Sequence, residues 1–369
     1  MMKKVLALAI ASAFAAPAFA ATSNVEVGGS VNVSFDYLDS DSTTNGGNLN
    51  VSSNSSNIYF KGSEDLGGGL KAIWQIQSYF SIGRTGNADT GVAGEAVRDG
   101  VASGNTYAGL SGGFGTVLLG KHEAPAKLIG RSVDLFGDQI GDNRNLVSKG
   151  SGSGVPGFTS NGFDLRPNNV IAYASPNMSG FSAMVAYVTN VGETGATLDD
   201  SVDAWSANVK YENGPLMLGL GYQVHNLSNT VATKGDENVW RLAASYKIDD
   251  LKLVGLYQKE DNLNTGLTNN ADRTTWGLGA AYGMGAITLK AQYYKTGEVD
   301  NINNTGANMW AVGADYSLSK RTKLQFAYAT TNNDAVASYS AFGGGHGDNP
   351  GTTAGRDPSG FSVGMRHAF

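Results

Sequence analysis

The sequence predicts an all-β protein: a 16-stranded antiparallel transmembrane β-barrel with an inward-folded third loop. Three observations predict it. Apolar residues alternate with polar ones in segments of about ten, an aromatic pattern repeats along the second half, and Gly/Asn/Asp/Ser-rich separators come alternately short and long.

Composition narrows the field before any segment is assigned. Of 369 residues none is cysteine, so disulfides, Cys-zinc sites and thiolate nucleophiles are excluded. Glycine is abundant (51) and proline scarce (8), which fits neither collagen nor a Pro-rich disordered chain. Lys3 and Lys4, an apolar stretch over 5–16 and Ala18-Phe19-Ala20 make residues 1–20 a cleavable export signal, leaving 21–369 as a single domain. A membrane anchor is the poorer reading, because the stretch is short and ends in small residues. Without the signal, 24 basic residues stand against 32 acidic ones, a charge of −8 that argues against a nucleic-acid partner. Export without cysteine points to the envelope of a Gram-negative bacterium.

The alternation is clean in Ile287-Thr288-Leu289-Lys290-Ala291-Gln292-Tyr293, where one face suits oil and the other water. The pattern Trp-x-(small or aliphatic)-x-(small or aliphatic)-x-Tyr begins at Trp205, Trp240, Trp276 and Trp310, at intervals of 35, 36 and 34 residues. Each copy alternates and is followed by a turn and a second alternating run, so each repeat is a strand pair rather than a helical solenoid unit. Its rings share the apolar face, where Trp and Tyr favour the lipid–water boundary. Tyr211, Tyr246, Tyr282 and Tyr316 precede short turns and are expected near the periplasmic boundary. A soluble sandwich is the alternative, although it would rarely extend so many similar strands.

Short separators fall at 65–69, 112–115, 175–180, 212–215, 249–250, 283–285 and 319–321. Long ones fall at 39–53, 82–103, 123–165, 191–201, 227–235, 262–271, 299–305 and 333–357. Seven turns alternating with eight loops give sixteen strands with both termini on the short-turn side. Hydrocarbon requires the sheet to close, since an open edge would leave backbone groups unpaired. Sixteen strands are too many for side chains to fill, so the interior holds water and forms a passage.

Signatures of chemistry are missing. His122, His225, His346 and His367 belong to no H-E-x-x-H motif, and neither G-x-S-x-G nor a phosphate-binding loop occurs. The expectation is no enzyme, no cofactor and no metal. The third long separator exceeds forty residues and carries Leu128, Ile129, Val133, Leu135, Phe136 and Ile140, which suit an inner wall better than water. Asp134, Asp138 and Asp142 follow at a spacing of four, which one helical face would present together towards the lumen.

Several segments carry a resemblance: residues 1–20, Tyr59-Phe60-Lys61-Gly62-Ser63-Glu64-Asp65-Leu66-Gly67, Tyr107-Ala108-Gly109-Leu110-Ser111-Gly112-Gly113-Phe114-Gly115, Leu119-Gly120-Lys121, Tyr173-Ala174-Ser175-Pro176 and the terminal Phe369. In order and spacing they resemble the general diffusion porins of Gram-negative bacteria, over the whole mature chain. The resemblance implies a homotrimer in outer-membrane lipid, with loop acids at a constriction facing a ladder of basic residues. It maps the acids to Asp134 and Asp138 and the opposing base to Arg166. The ladder is depleted here, with Asn57, Gly104 and Ser30 at positions where such porins often place Arg, leaving Lys61, Lys121, Lys127 and Arg131 as partial replacements. From this follows an expected modest cation preference. The alternating last strand ending in Phe369 resembles the signal read by the barrel-assembly machinery.

The function expected is passive diffusion of ions and small hydrophilic solutes. A sugar-selective channel is the main alternative and would need aromatic rings inside the lumen, for which Tyr59, Tyr79 and Tyr294 are the candidates. A barrel enzyme or adhesin is the alternative from another class.

Overall fold

The computed structural model describes residues 23–42, 47–82, 101–148, 162–189, 203–226, 236–263 and 271–369. The export signal over 1–20 and the separators 191–201 and 227–235 lie outside the described residues. The first strands are β1 (Ser23–Asp39), β2 (Asn48–Ser53), β3 (Asn57–Gly67), β4 (Leu70–Tyr79), β5 (Thr106–Gly112) and β6 (Gly115–Lys121). Two short helices follow, α1 (Pro125–Arg131) and α2 (Arg144–Val147). After them come β7 (Val170–Ala174), β8 (Phe181–Val188), β9 (Asp203–Asn213), β10 (Leu216–Asn226), β11 (Glu237–Ile248) and β12 (Leu251–Leu263). The chain ends with β13 (Ala271–Met284), β14 (Ile287–Thr296), β15 (Ala307–Ser317), β16 (Thr322–Asn333) and β17 (Ser359–Ala368).

From β3 onward each strand pairs antiparallel with the next, and β17 closes the ring on β1, matching 30–39 to 359–368 in reverse. The 17 strand segments make sixteen crossings, because β2 and β3 are two halves of one. Both pair with β1, β2 through residues 33–38 and β3 through 23–30. The break at Asn54-Ser55-Ser56 stays attached to β1: the Asn54 amide donates to the Asn32 carbonyl (2.8 Å) and the Asn32 amide to Ser56 Oγ (3.0 Å). This corrects the first long loop expected from sequence. Residues 48–53 are strand, with Leu49 and Val51 outward and Ser52 buried inward. Asn and Ser at the inward positions had disguised the alternation.

The two faces have opposite polarity. Trp205, Trp240, Trp276 and Trp310 are 37–47% exposed on the outer surface, where Trp205, Trp240 and Trp310 sit against Tyr187, Tyr222 and Tyr328 at ring-centroid distances of 4.4–5.2 Å. Tyr246, Tyr282 and Tyr316 form a second exposed row beside the short turns, with Leu242, Leu278 and Val312 between the rows. Inside, the buried residues include Arg241, Gln258, Glu260, Arg273, Lys290, Gln292 and Gln325. Such an inside-out distribution is stable only where the exterior is hydrocarbon, and it excludes the soluble sandwich.

Candidate pore constriction

The third long connection runs back inside the barrel. Pro125 opens α1 with its φ preset for a helix and no amide to satisfy. Ala124 supplies no side-chain cap; instead the barrel wall does, since the Ala126 amide donates to Ser206 Oγ of β9 (3.0 Å). Asn208 of the same strand donates to the Pro125 carbonyl (2.7 Å). The helix fits because Gly219 and Gly221 on the inner face of β10 leave a notch. A Cβ at Gly221 would lie 3.0 Å from Ala126 Cα, and one at Gly219 equally close to Ile129. Arg241 of β11 completes the seat, donating to the Ala126 carbonyl (3.1 Å) and to Asp164 Oδ1 (2.6 Å).

Beyond α1 the loop is fastened to the opposite wall by a small-residue patch. Phe136 and Ile140 are wholly buried against Ala311, Ala327 and Ala329 of β15 and β16. Gln292 of β14 donates to the Gly141 carbonyl (2.7 Å), and Asn143 donates to Tyr294 Oη (3.1 Å). The loop thus spans the lumen from β9–β11 to β14–β16.

Asp134, Asp138 and Asp142 do converge, but not on a helical face. Asp138 and Gly141 have φ of 61° and 77°, conformations that interrupt any helix between α1 and α2. Nor do the carboxylates face open water. Arg131 places Nη1 2.9 Å from Asp142 and 3.6 Å from Asp134, and Nη2 3.2 Å from Asp138. Arg144 Nη2 lies 2.9 Å from Asp138 and 2.8 Å from Asp142. The side chains of Asp134 and Asp142 are 1% and 0% exposed, and that of Asp138 16%. Burial and the Asp142 charge push the Asp134 carboxyl up to about 7, against the pull of Arg131. Burial also raises Asp138, but Arg131, Arg144 and Arg366 outweigh it and hold that carboxyl below its ordinary value. An exposed acidic face was the ground for expecting a cation preference, and it is absent.

The expected basic residues are likewise engaged elsewhere. Arg166 donates through Nε to Asn105 (2.9 Å) and through Nη2 to Tyr79 Oη (2.9 Å) and Glu123 (3.0 Å), bracing the base of the loop rather than facing Asp134. Lys127 joins Glu123 from the other side (3.2 Å). Lys61 faces the lumen from β3, paired with Glu26 of β1 (3.0 Å) and lying over the Tyr59 ring. Lys121 ends β6 opposite Thr106, on the parity of the outward Leu119. Arg131 belongs to the acid cluster and not to the wall. The run R-x-x-D-x-x-x-D-x-x-x-D-x-R, with arginines at both ends, carried this pairing in the sequence.

Sequence reasoning missed the cations of the β14–β17 wall. Lys290 and Lys323 share Asp315 (2.9 and 2.8 Å), and Arg366 is the register partner of Lys323. Arg366 makes no salt bridge among the described residues. Period-two reading places all four on the inner face, so the signal was available in the alternation itself.

A family model described as Gram-negative porin matches residues 7–336. Outer membrane porin protein 32 of Delftia acidovorans is 30% identical, with all of both chains covered. An outer membrane porin protein of Bordetella pertussis is 28% identical over 70% of this chain and 69% of its own. Among solved structures, an anion-selective porin from Comamonas acidovorans superimposes with a TM-score of 0.76 at 28% identity, covering 94% of this chain and 100% of that one.

Proposed function

Because this chain belongs to the Gram-negative porin family, an outer-membrane channel by family and fold, we propose that it is a general diffusion porin with a modest anion preference. It passes ions and small hydrophilic solutes down their gradients, without cofactor or turnover, and works as a homotrimer. Outer-membrane lipid surrounds its aromatic rows, and the barrel-assembly machinery reads its carboxy-terminal Phe369.

The observation that carries the ion preference is the charge distribution inside. Each acid of the third loop lies beside an arginine, whereas on the facing wall Lys290 is buried beneath the loop and paired with Asp315, leaving the partly exposed Lys323 and Arg366 towards the passage. Positive charge in excess on a water-filled wall concentrates anions. The anion selectivity named for the Comamonas acidovorans porin points the same way. In this reading Asp134, Asp138 and Asp142 with their arginines make the polar rim of the constriction, Arg166 braces it, Lys61 is secondary, and Lys121, on the outward parity, lies outside it.

A sugar track finds little support. Tyr294 is fully buried behind the loop, and Tyr79 is occupied by Arg166, whose guanidinium lies 5.0 Å above its ring. Reversal potentials in planar bilayers under a potassium chloride gradient test the proposal, and a potassium preference refutes it. Liposome swelling with neutral sugars separates the sugar channel, which would favour one sugar over others of equal size.

A further inference from the structure

The last long connection, between β16 and β17, contains a run that behaves like core. Residues 339–347 are all buried, although they join two strands at the mouth of a water-filled barrel. Phe342 packs with Leu38 of β1 and with Phe136 and Ile140 of the third loop. The Gly141 amide donates to the Ala341 carbonyl (2.8 Å), and Asn145 Oδ1 accepts from the Gly343 amide (2.7 Å). Arg273 of β13 donates to Tyr339 Oη (2.7 Å), and Ser55 donates to the Gly345 carbonyl (2.9 Å). The run therefore sits on the third loop and touches the wall on several sides.

At its end His346 is 1% exposed between two oxygen acceptors: Nε2 is 3.0 Å from Asp36 Oδ2, and Nδ1 is 2.9 Å from the Asp348 carbonyl. A neutral imidazole has one N–H and could satisfy just one of them, so the geometry fits the imidazolium. The charged groups around it are Asp36 from β1, whose Oδ2 also accepts from Ser34 (2.9 Å), and Asp348, whose carboxylate accepts from Ser52 of β2 (3.1 Å). From the third loop, Asp142 backs Gly344, and Asp138 and Arg144 back Gly345.

We propose that residues 339–348 are a second constriction element, a cap seated on the third loop and latched in acid by the His346 imidazolium between Asp36 and the Asp348 carbonyl. Loss of one proton turns an N–H···O contact into two facing lone pairs, which loosens the cap and widens the passage. Burial opposes the charge on His346, but the hydrogen bond and charge of Asp36 outweigh it, raising its pKa above the ordinary 6.5. The latch is accordingly intact below that ordinary value and is lost as pH rises through the raised one.

The inference rests on the porin reading, and one experiment separates the two: conductance at any pH reports the channel, and its change with pH reports the latch. Single-channel conductance of the full-length protein is followed from about pH 5 to about pH 9, spanning the histidine range. Because the Asp134 carboxyl of the third loop titrates in the same range, the test is made in an Asp134→Asn background: this protein should rise in one step, and adding His346→Gln or Asp36→Asn should hold it at the upper level throughout. A flat profile in Asp134→Asn, or retention of its step on adding His346→Gln, overturns the proposal. Where the variants fail to fold, amide exchange in wild type decides. Protection at Gly141, Gly343 and Gly347, normalised for intrinsic rates, should fall as pH rises, and unchanged protection overturns it.

Discussion

Replacing Arg366 with glutamate should abolish the anion preference, and the wall geometry sets the size of the effect. Lys290 and Lys323 share Asp315, so those three groups leave one net positive charge and Arg366 supplies the second. An ion passing roughly 6 Å from a unit charge in water feels about 0.7 kcal/mol, reduced to about 0.4 kcal/mol at 0.1 M salt. Anions lose that attraction and cations lose the matching repulsion. Neutralisation in Arg366→Gln therefore changes the anion-to-cation permeability ratio by about fourfold, and reversal in Arg366→Glu by about fifteenfold. Reversal potentials measured at two ionic strengths provide the assay, with the effect shrinking at the higher one. If Arg366→Glu kept the wild-type ratio at low salt, the β14–β17 wall would not set selectivity and the proposal would fail.

Three further outcomes follow from the loop seats. Gly221→Val places branched carbon against Ala126, an overpacking cost of about 1–3 kcal/mol; it should speed amide exchange at Ala126 and admit larger sugars in liposome swelling, leaving the melting of the barrel nearly unchanged. Asp134 has its carboxyl raised to about 7 from an ordinary 3.8, so its contribution to docking of the third loop is present below the ordinary value and lost as pH rises through about 7; protection of the Phe136 amide, which donates to Asp134 Oδ1 (3.0 Å), normalised for intrinsic exchange rates, should fall over that range and stay constant in Asp134→Asn. Deleting Phe369 removes the reciprocal backbone pair with Gly29 (3.2 and 3.1 Å) that joins the last residue to the first strand; assembled protein in outer-membrane fractions should fall, with export unaltered.

The barrel was legible because its determinant is local. Alternation is written residue by residue, and lipid outside with water inside leaves each strand one way to face. The count of seven turns and eight long connections needed no knowledge of contacts. The short strand over 48–53 escaped because its inward Asn and Ser residues look like loop. The constriction was legible as composition and not as pairing: the acids were evident, but which cation each would meet depends on a backbone turn at Asp138 that spacing does not encode. The cap over 339–347 was least visible. Its Ala-Gly-rich text suits an exposed loop equally well, and its burial follows from the shape left by Phe136, Ile140 and Leu38, residues remote from it in sequence.

A wall that must stay polar for water cannot also offer a continuous apolar core to hold loops inside it. This chain resolves the conflict by position. Small residues, Gly219 and Gly221 on one side and Ala311, Ala327 and Ala329 on the other, carve two dry seats for Ile129 and Phe136. Between the seats the loop is tied by charges fully enclosed in pairs, Arg241 with Asp164 and Arg144 with Asp142. Removing one partner of such a pair leaves an uncompensated buried charge, at a cost of about 3–5 kcal/mol. Those charges therefore fix geometry and contribute little field to the passage, because each is cancelled at contact distance. The field is left to groups outside those pairs, Arg366 above all, and it follows that selectivity and the docking of the first helix should be separable: Arg366→Glu should alter the permeability ratio with Ala126 exchange unchanged, and Gly221→Val should do the reverse.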